Sequence, residues 1–410
     1  MREKIVVTGC ALVTPLGNGL AANIASLKQG KSGIVRMPDF EEVGLEATVA
    51  GLADREVECP LFTQKNKRFM SPNSVFAVAA AYEAMTEAGF TVESFAARNP
   101  ALINGCAGSS YSTVHLNSKT FEETRRLRRV TPFAVPRVMP SSAVANISLI
   151  FGIKGESYDI SAACTSSALT IIAGARLILS GEYDCVMVGG SEEVSWQQAL
   201  GFSAMRALSH SYNDAPETAS RPFDKSRDGF VLGEGAGMLI MESESSAKKR
   251  GAKILAYLSG FATNSNAADM VVPDAESSAD VMRRAVKNAG LTPADIDYIN
   301  THGTATPVGD PVEMEAIRKV FEDSRVAINS TKSMTGHMIG AAGAVEAIFS
   351  ILMMQNSFLC PTANLKEPEE AFAWADLVRE TREGVNIRHS LSNSFGFGGS
   401  NACLVFSKPE

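Results

Sequence analysis

Residues 156–190 carry a pattern that few architectures accept. A short strand at 156–160 runs into a turn, then into an apolar helix at 168–179, then into an apolar strand at 184–190. Helix and strand that are both apolar belong in packed α/β layers. The same coarse order returns later in the chain. In the first half a strand and turn at 101–105 precede this unit, and the glycine-rich run 230–240 follows it. In the second half 298–302 precede a turn at His337 and a helix at 341–352, and 394–406 follow. The echo is one of pattern, not of identity. It divides the chain into 1–250 and 251–410, with a strand at 252–258 opening the second part.

The turn of the first unit reads Ser161-Ala-Ala-Cys164-Thr-Ser-Ser-Ala168. A thiol on the first turn of a helix faces unpaired N–H groups and the positive end of the helix dipole. Both favour the thiolate, which is the nucleophile. Free cysteines are also commonly buried and inert, so this segment alone leaves both readings open. The chain has five histidines: His115, His210, His302, His337 and His389. His302 lies in Asn300-Thr-His302-Gly-Thr304-Ala-Thr306, and His337 in Lys332-Ser-Met-Thr-Gly-His337. Both segments are Gly/Thr-rich turns after strand-like runs, a setting that brings backbone close to a ligand. The other three histidines have no such setting and are assigned no chemistry.

Composition excludes several classes. A chain of 410 residues with 45% hydrophobic content can bury one large core or two joined cores. A formal net charge of −7 argues against a general nucleic-acid binder. Seven cysteines without close spacing argue against a disulfide framework, and no Cys/His pair has metal-ligand spacing, so no catalytic metal is expected. No signal-peptide pattern and no apolar run long enough to cross a membrane are expected, which places the chain in the cytoplasm.

Cys164 in Ala-Cys-Thr-Ser, His302 in Thr-His-Gly-Thr and His337 in Lys-Ser-Met-Thr-Gly-His together resemble a β-ketoacyl-[acyl-carrier-protein] synthase. Two further segments match that family, 227–237 and 392–401, and the resemblance runs from Lys4 to the C-terminus. The Cys-His-His set is that of elongating synthases. Segments 212–220, 268–273 and 68–71 look more like synthase I, whereas Glu234 and 340–347 lean toward synthase II. The balance favours type I.

The resemblance implies a thiolase-like fold, two similar α/β halves in an α-β-α-β-α arrangement. It implies decarboxylative condensation, in which Cys164 holds the growing acyl chain and His302 and His337 stabilise the enolate left by malonyl. Backbone N–H groups of Cys164 and Phe397 would form an oxyanion hole, and Phe397 would gate the acyl pocket. Lys332 would pair with Glu346, with Glu313 nearby. Thr304 and Thr306 would bind the pantetheine arm. Val135 and Met139 would line the acyl pocket across the interface of a homodimer. No cofactor is expected on the enzyme itself, since substrates ride on the phosphopantetheine arm of acyl carrier protein. That acidic partner would dock on Lys65, Arg68, Arg125 and Arg128; Gln64 departs from the family's basic pattern. An ordinary solvated face is the plain alternative for such a charge run. A polyketide or polyene ketosynthase remains open. A non-catalytic partner subunit would lack the nucleophile. A thiolase acting on coenzyme A thioesters would want a second reactive cysteine in the glycine loop, and Cys403 lies instead in an apolar strand.

Overall fold

The computed structural model describes residues 3–409. Strand Ile5–Thr14 is buried along all ten residues, as its apolar sequence requires of a strand covered on both faces. It pairs antiparallel with Gly235–Ser243 on one side and with Ala256–Ser265 on the other. Outward from Ile5–Thr14 lie Gly235–Ser243, Cys185–Glu192, Ala101–Gly105 and Ser157–Ile160. Outward from Ala256–Ser265 lie Ser400–Ser407, His389–Phe395, Tyr298–Asn300 and Ala327–Asn329, with the short Asp376–Leu377 beyond. Counted along the chain, both halves therefore place their strands first, fifth, fourth, second, third from the centre. The strand directions repeat too: the fifth pairs antiparallel with the first and with the fourth, and the second pairs parallel with the fourth and third. The two halves join through one narrow ladder, Val6 opposite Tyr257 and Val7 opposite Ala256, so they form a single twelve-stranded sheet.

Helices complete five layers. Pro72–Glu87 packs on Ile5–Thr14 and Gly235–Ser243 at one outer face, and Ala275–Asn288 packs on Ala256–Ser265 and Ser400–Ser407 at the other. Between the halves, Ser166–Ser180 and Ala342–Asn356 pack on each other and on strands of both. Ala342 through Met354 are all buried, which explains why this helix shows no polar face. Two helical stretches, Ala163–Ser180 and Ile339–Asn356, prove long and apolar enough to cross a membrane, contrary to the expectation from sequence. Their apolar surface is taken up by the strands of both halves. The strand expected at 252–258 begins at Ala256 and runs on to Ser265, because its partner Ser400–Ser407 pairs along that length.

A smaller sheet, Ile34–Arg36, Val49–Gly51 and Leu232–Gly233, stands beside the second half. Leu232 bridges His337, and Gly51 and Gly233 approach the Thr335 carbonyl so closely that a Cβ would stand 2.1 and 2.5 Å from it. Segments of the first half thus clamp the His337 turn.

Candidate active site

Each residue of the site leaves the carboxyl end of a sheet strand, where α/β folds hold their ligands. Cys164 follows Ser157–Ile160 and sits just before helix Ser166–Ser180. Ala163 beside it has φ 49°, a left-handed conformation that a side chain rarely accepts and that turns the thiol inward. Neighbouring hydroxyls hold this turn: Thr165 Oγ1 donates to the Ala162 carbonyl at 2.6 Å, and Ser166 Oγ donates to the Ala163 carbonyl at 2.7 Å.

His302 follows Tyr298–Asn300. The Glu313 carboxylate fixes its turn by accepting the N–H of His302 at 2.8 Å and of Gly303 at 2.6 Å. Asn393 Nδ2 also donates to Glu313, at 3.1 Å. His337 follows Ala327–Asn329, in the position of its half that Cys164 occupies in the other. Its N–H donates to the Val231 carbonyl at 2.6 Å, and its carbonyl accepts the Gly233 N–H at 2.9 Å.

The three side chains converge. His337 Nε2 lies 3.0 Å from Cys164 Sγ. The imidazole rings meet edge to face, with centroids 5.2 Å apart. One donor atom from each of the three lies within 4.8 Å of the others. Nδ1 of both rings is buried with no hydrogen-bond partner among the described residues. A buried N–H without an acceptor costs more than a bare lone pair, so the proton belongs on Nε2, facing the cavity.

Burial sets the charges. It pushes the Cys164 thiol up to about 12, outweighing the lowering effects of Lys332 and of the Phe397 and Cys164 backbone N–H groups. Burial thus opposes the thiolate that the helix start favours. Burial, with Lys332 beside them, holds both histidines well below 6.5, so both imidazoles are neutral at pH 7. Lys332 forms a buried ion pair with Glu346. Burial raises Glu346 to about 7, against the lowering by Lys332. The Cys-His-His spacing would also suit a cation, but the field of the nearby Lys332 ammonium works against one.

A cavity of about 610 Å³ opens from these groups. Thr304 and Thr306 line it; Thr306 Oγ1 also accepts the N–H of Gly309, the first residue of helix Gly309–Phe321, at 3.0 Å. Phe397 lines it, with Gly398 (φ 81°) and Gly399 (φ 77°) after it in the left-handed region. Val135 and Met139 are absent from the lining, and Val135 is 69% exposed. Lys65, Arg68, Arg125 and Arg128 are exposed and form no ion pair among the described residues. Arg68 stacks on Phe69 and Phe133, each 5.0 Å away.

Sequence reasoning missed part of the wall. Met270 and Val272 line the mouth and are 71% and 47% exposed, whereas in the sequence the run 268–273 carries only a likeness to synthase I. Ala107, Gly108 and Phe202 also line the cavity, and nothing in their local sequence distinguishes them.

Two family descriptions match: "Beta-ketoacyl synthase, N-terminal domain" over residues 2–247 and "Beta-ketoacyl synthase, C-terminal domain" over residues 255–366. The chain is 40% identical over 99% of both chains to 3-oxoacyl-[acyl-carrier-protein] synthase 1 of Haemophilus influenzae. It is 37% identical, with 99% of both chains covered, to synthase 2 of Vibrio harveyi. A β-ketoacyl synthase from Burkholderia phymatum superposes over the whole of both chains with a TM-score of 0.93 at 35% identity. A type II polyketide ketosynthase, solved in complex with its acyl-carrier protein, superposes with a TM-score of 0.91 at 27% identity, again over the whole of both chains.

Proposed function

This chain belongs to the β-ketoacyl synthase family, and from that premise we propose how its site extends an acyl chain by two carbons. It is a β-ketoacyl-[acyl-carrier-protein] synthase, an acyltransferase of thiolase-like fold that serves fatty acid elongation.

In the first half-reaction Cys164 Sγ attacks the acyl thioester. The oxyanion gathers on the N–H groups of Cys164 and Phe397. The pantetheine C–S bond breaks, and the thiol proton ends on the released pantetheine sulfur. In the second, malonyl loses CO₂, and the electron pair of the broken C–C bond forms an enolate. His302 and His337 hold its oxygen through Nε2–H; being neutral, they donate hydrogen bonds without protonating the enolate. The enolate carbon attacks the Cys164 thioester, and collapse expels Cys164 and leaves β-ketoacyl on the carrier. Lys332, Glu346 and Glu313 fix the two histidines. Thr304 and Thr306 take the amide groups of the pantetheine arm, and Phe397 gates the acyl pocket.

Acyl carrier protein is the partner, and Lys65, Arg68, Arg125 and Arg128 dock it. The enzyme works in the cytoplasm as a homodimer whose interface brings Val135 and Met139 to the acyl pocket. We place the divide between the halves at 250/251, ahead of strand Ala256–Ser265.

The observation that carries this reading is the convergence of one thiol and two neutral imidazoles on one cavity. Incubation with a ladder of acyl-carrier proteins and malonyl-carrier protein tests it. One acyl mass should appear on Cys164, and products should be two carbons longer. Cys164→Ala should lose condensation yet retain malonyl decarboxylation, whereas His302→Ala and His337→Ala should lose about 10²–10³ of decarboxylation. Acylation mapped to Cys10, Cys106 or Cys403, or normal decarboxylation in both histidine variants, would sink the assignment. Products extended repeatedly without reduction would move the enzyme to a polyketide pathway.

A further inference from the structure

Glu192 ends strand Cys185–Glu192 and is 1% exposed, yet it forms no ion pair among the described residues. Its partners are backbone groups from both halves and the Cys106 thiol, whose Sγ donates to Oε1 at 3.8 Å. One carboxylate oxygen accepts the Ala107 N–H at 3.0 Å and the Gly340 N–H at 3.1 Å. The Gly108 N–H also favours its ionised form, while burial pushes the carboxyl up to about 7. Space is kept open for it. A Cβ at Gly108 would stand 3.3 Å from one carboxylate oxygen, and a Cβ at Gly340 would stand 2.9 Å from the other.

The placement of those partners gives the contact its meaning. Ala107 and Gly108 follow strand Ala101–Gly105 and wall the cavity. Gly340 lies three residues after His337, next to Ile339, which also lines the cavity. The two segments touch directly: a Cβ at Gly340 would stand 2.4 Å from the Ala107 N. One carboxylate therefore bonds the cavity wall of the first half to the turn of the second half that carries His337.

We propose that Glu192 is a positioning residue that ties the Ala107 and Gly108 wall to the His337 turn and so sets where His337 meets malonyl. The inference rests on the role given above to His337.

A double-mutant cycle on malonyl-carrier protein decarboxylation tests it. Glu192→Gln keeps the shape but replaces one of the two acceptor oxygens with an amide nitrogen that cannot accept, so either the Ala107 and Gly340 N–H groups or the donors on the other oxygen lose their acceptor. It should lower the decarboxylation kcat by about 10²-fold, the usual effect of a small misplacement, with KM for malonyl-carrier protein within about twofold. Combined with His337→Ala it should add less than about threefold, because the residue through which it acts is already gone. If Glu192→Gln does not fold, Glu192→Asp, which draws the carboxylate back by one methylene, should give the same non-additive pattern. A slow His337→Ala with losses that multiply overturns the role of Glu192 alone. A Glu192→Gln with wild-type decarboxylation also overturns it. A His337→Ala that decarboxylates normally overturns the His337 reading and this inference with it.

Discussion

Cys164, His302 and His337 are all kept uncharged by the burial that brings them together. A neutral thiol beside neutral imidazoles needs no nearby counter-charge, and the oxyanion that forms during reaction meets N–H donors already in place. The state of the thiol has a direct readout. With the thiol raised to about 12, the thiolate fraction is small at pH 7 and grows tenfold with each unit of pH. Alkylation of Cys164 by iodoacetamide should therefore rise with a log–log slope near one from about pH 6 to 9. A plateau below about pH 8 would mean that the helix-start field wins over burial.

The central helices meet where their sequences are smallest. A Cβ at Gly343 would stand 2.8 Å from the backbone N of Ala168 and 2.9 Å from its Cβ. Gly201, in helix Trp196–Ala204, has nothing within 4 Å of its Cβ position. These two helical glycines should respond oppositely to alanine. Gly343→Ala should destabilise the protein by about 1–3 kcal/mol through overpacking, despite the gain in helix propensity. Gly201→Ala should be neutral or stabilise it by up to about 1 kcal/mol. Denaturant midpoints at constant m-value measure both. Equal effects would show that the approach of the two central helices does not govern position 343.

Across the whole molecule charge is arranged against its own sum. The chain carries a net −7, yet Arg125, Arg126, Arg128 and Arg129 stand exposed together after helix Tyr111–Thr124. If they receive an acidic carrier protein, Arg125→Glu with Arg128→Glu should raise the apparent KM for acyl-carrier protein more than it lowers kcat. Wild-type affinity should weaken as salt rises, since attraction between surface charges is screened over about 8 Å at physiological ionic strength. A small pantetheine thioester should serve both forms equally. Equal loss on both substrates would make the cluster structural; no loss on either would move the docking face elsewhere.

The α/β class, the repeat of the halves and the Cys-His-His set were all legible along the chain. The first two depend on local pattern, apolar runs of strand or helix length; Cys164, His302 and His337 stand in turns after strands, and the family resemblance joins them into one set. The strand order was not legible, because pairing such as Ile5–Thr14 with Gly235–Ser243 joins segments more than 200 residues apart. The ends of short strands were legible only roughly, as at 252–258, where a distant partner sets the length. Three things were decided by tertiary structure alone. Burial raises the Cys164 thiol, a result of packing from both halves that a helix-start motif cannot report. The covering of two membrane-length apolar helices depends on strands remote in sequence. The bond from Glu192 to Ala107 and Gly340 links three segments that meet only when the halves close. Local sequence specifies which groups are available, whereas burial and cross-half contact exist only between segments and so appear only in the folded chain.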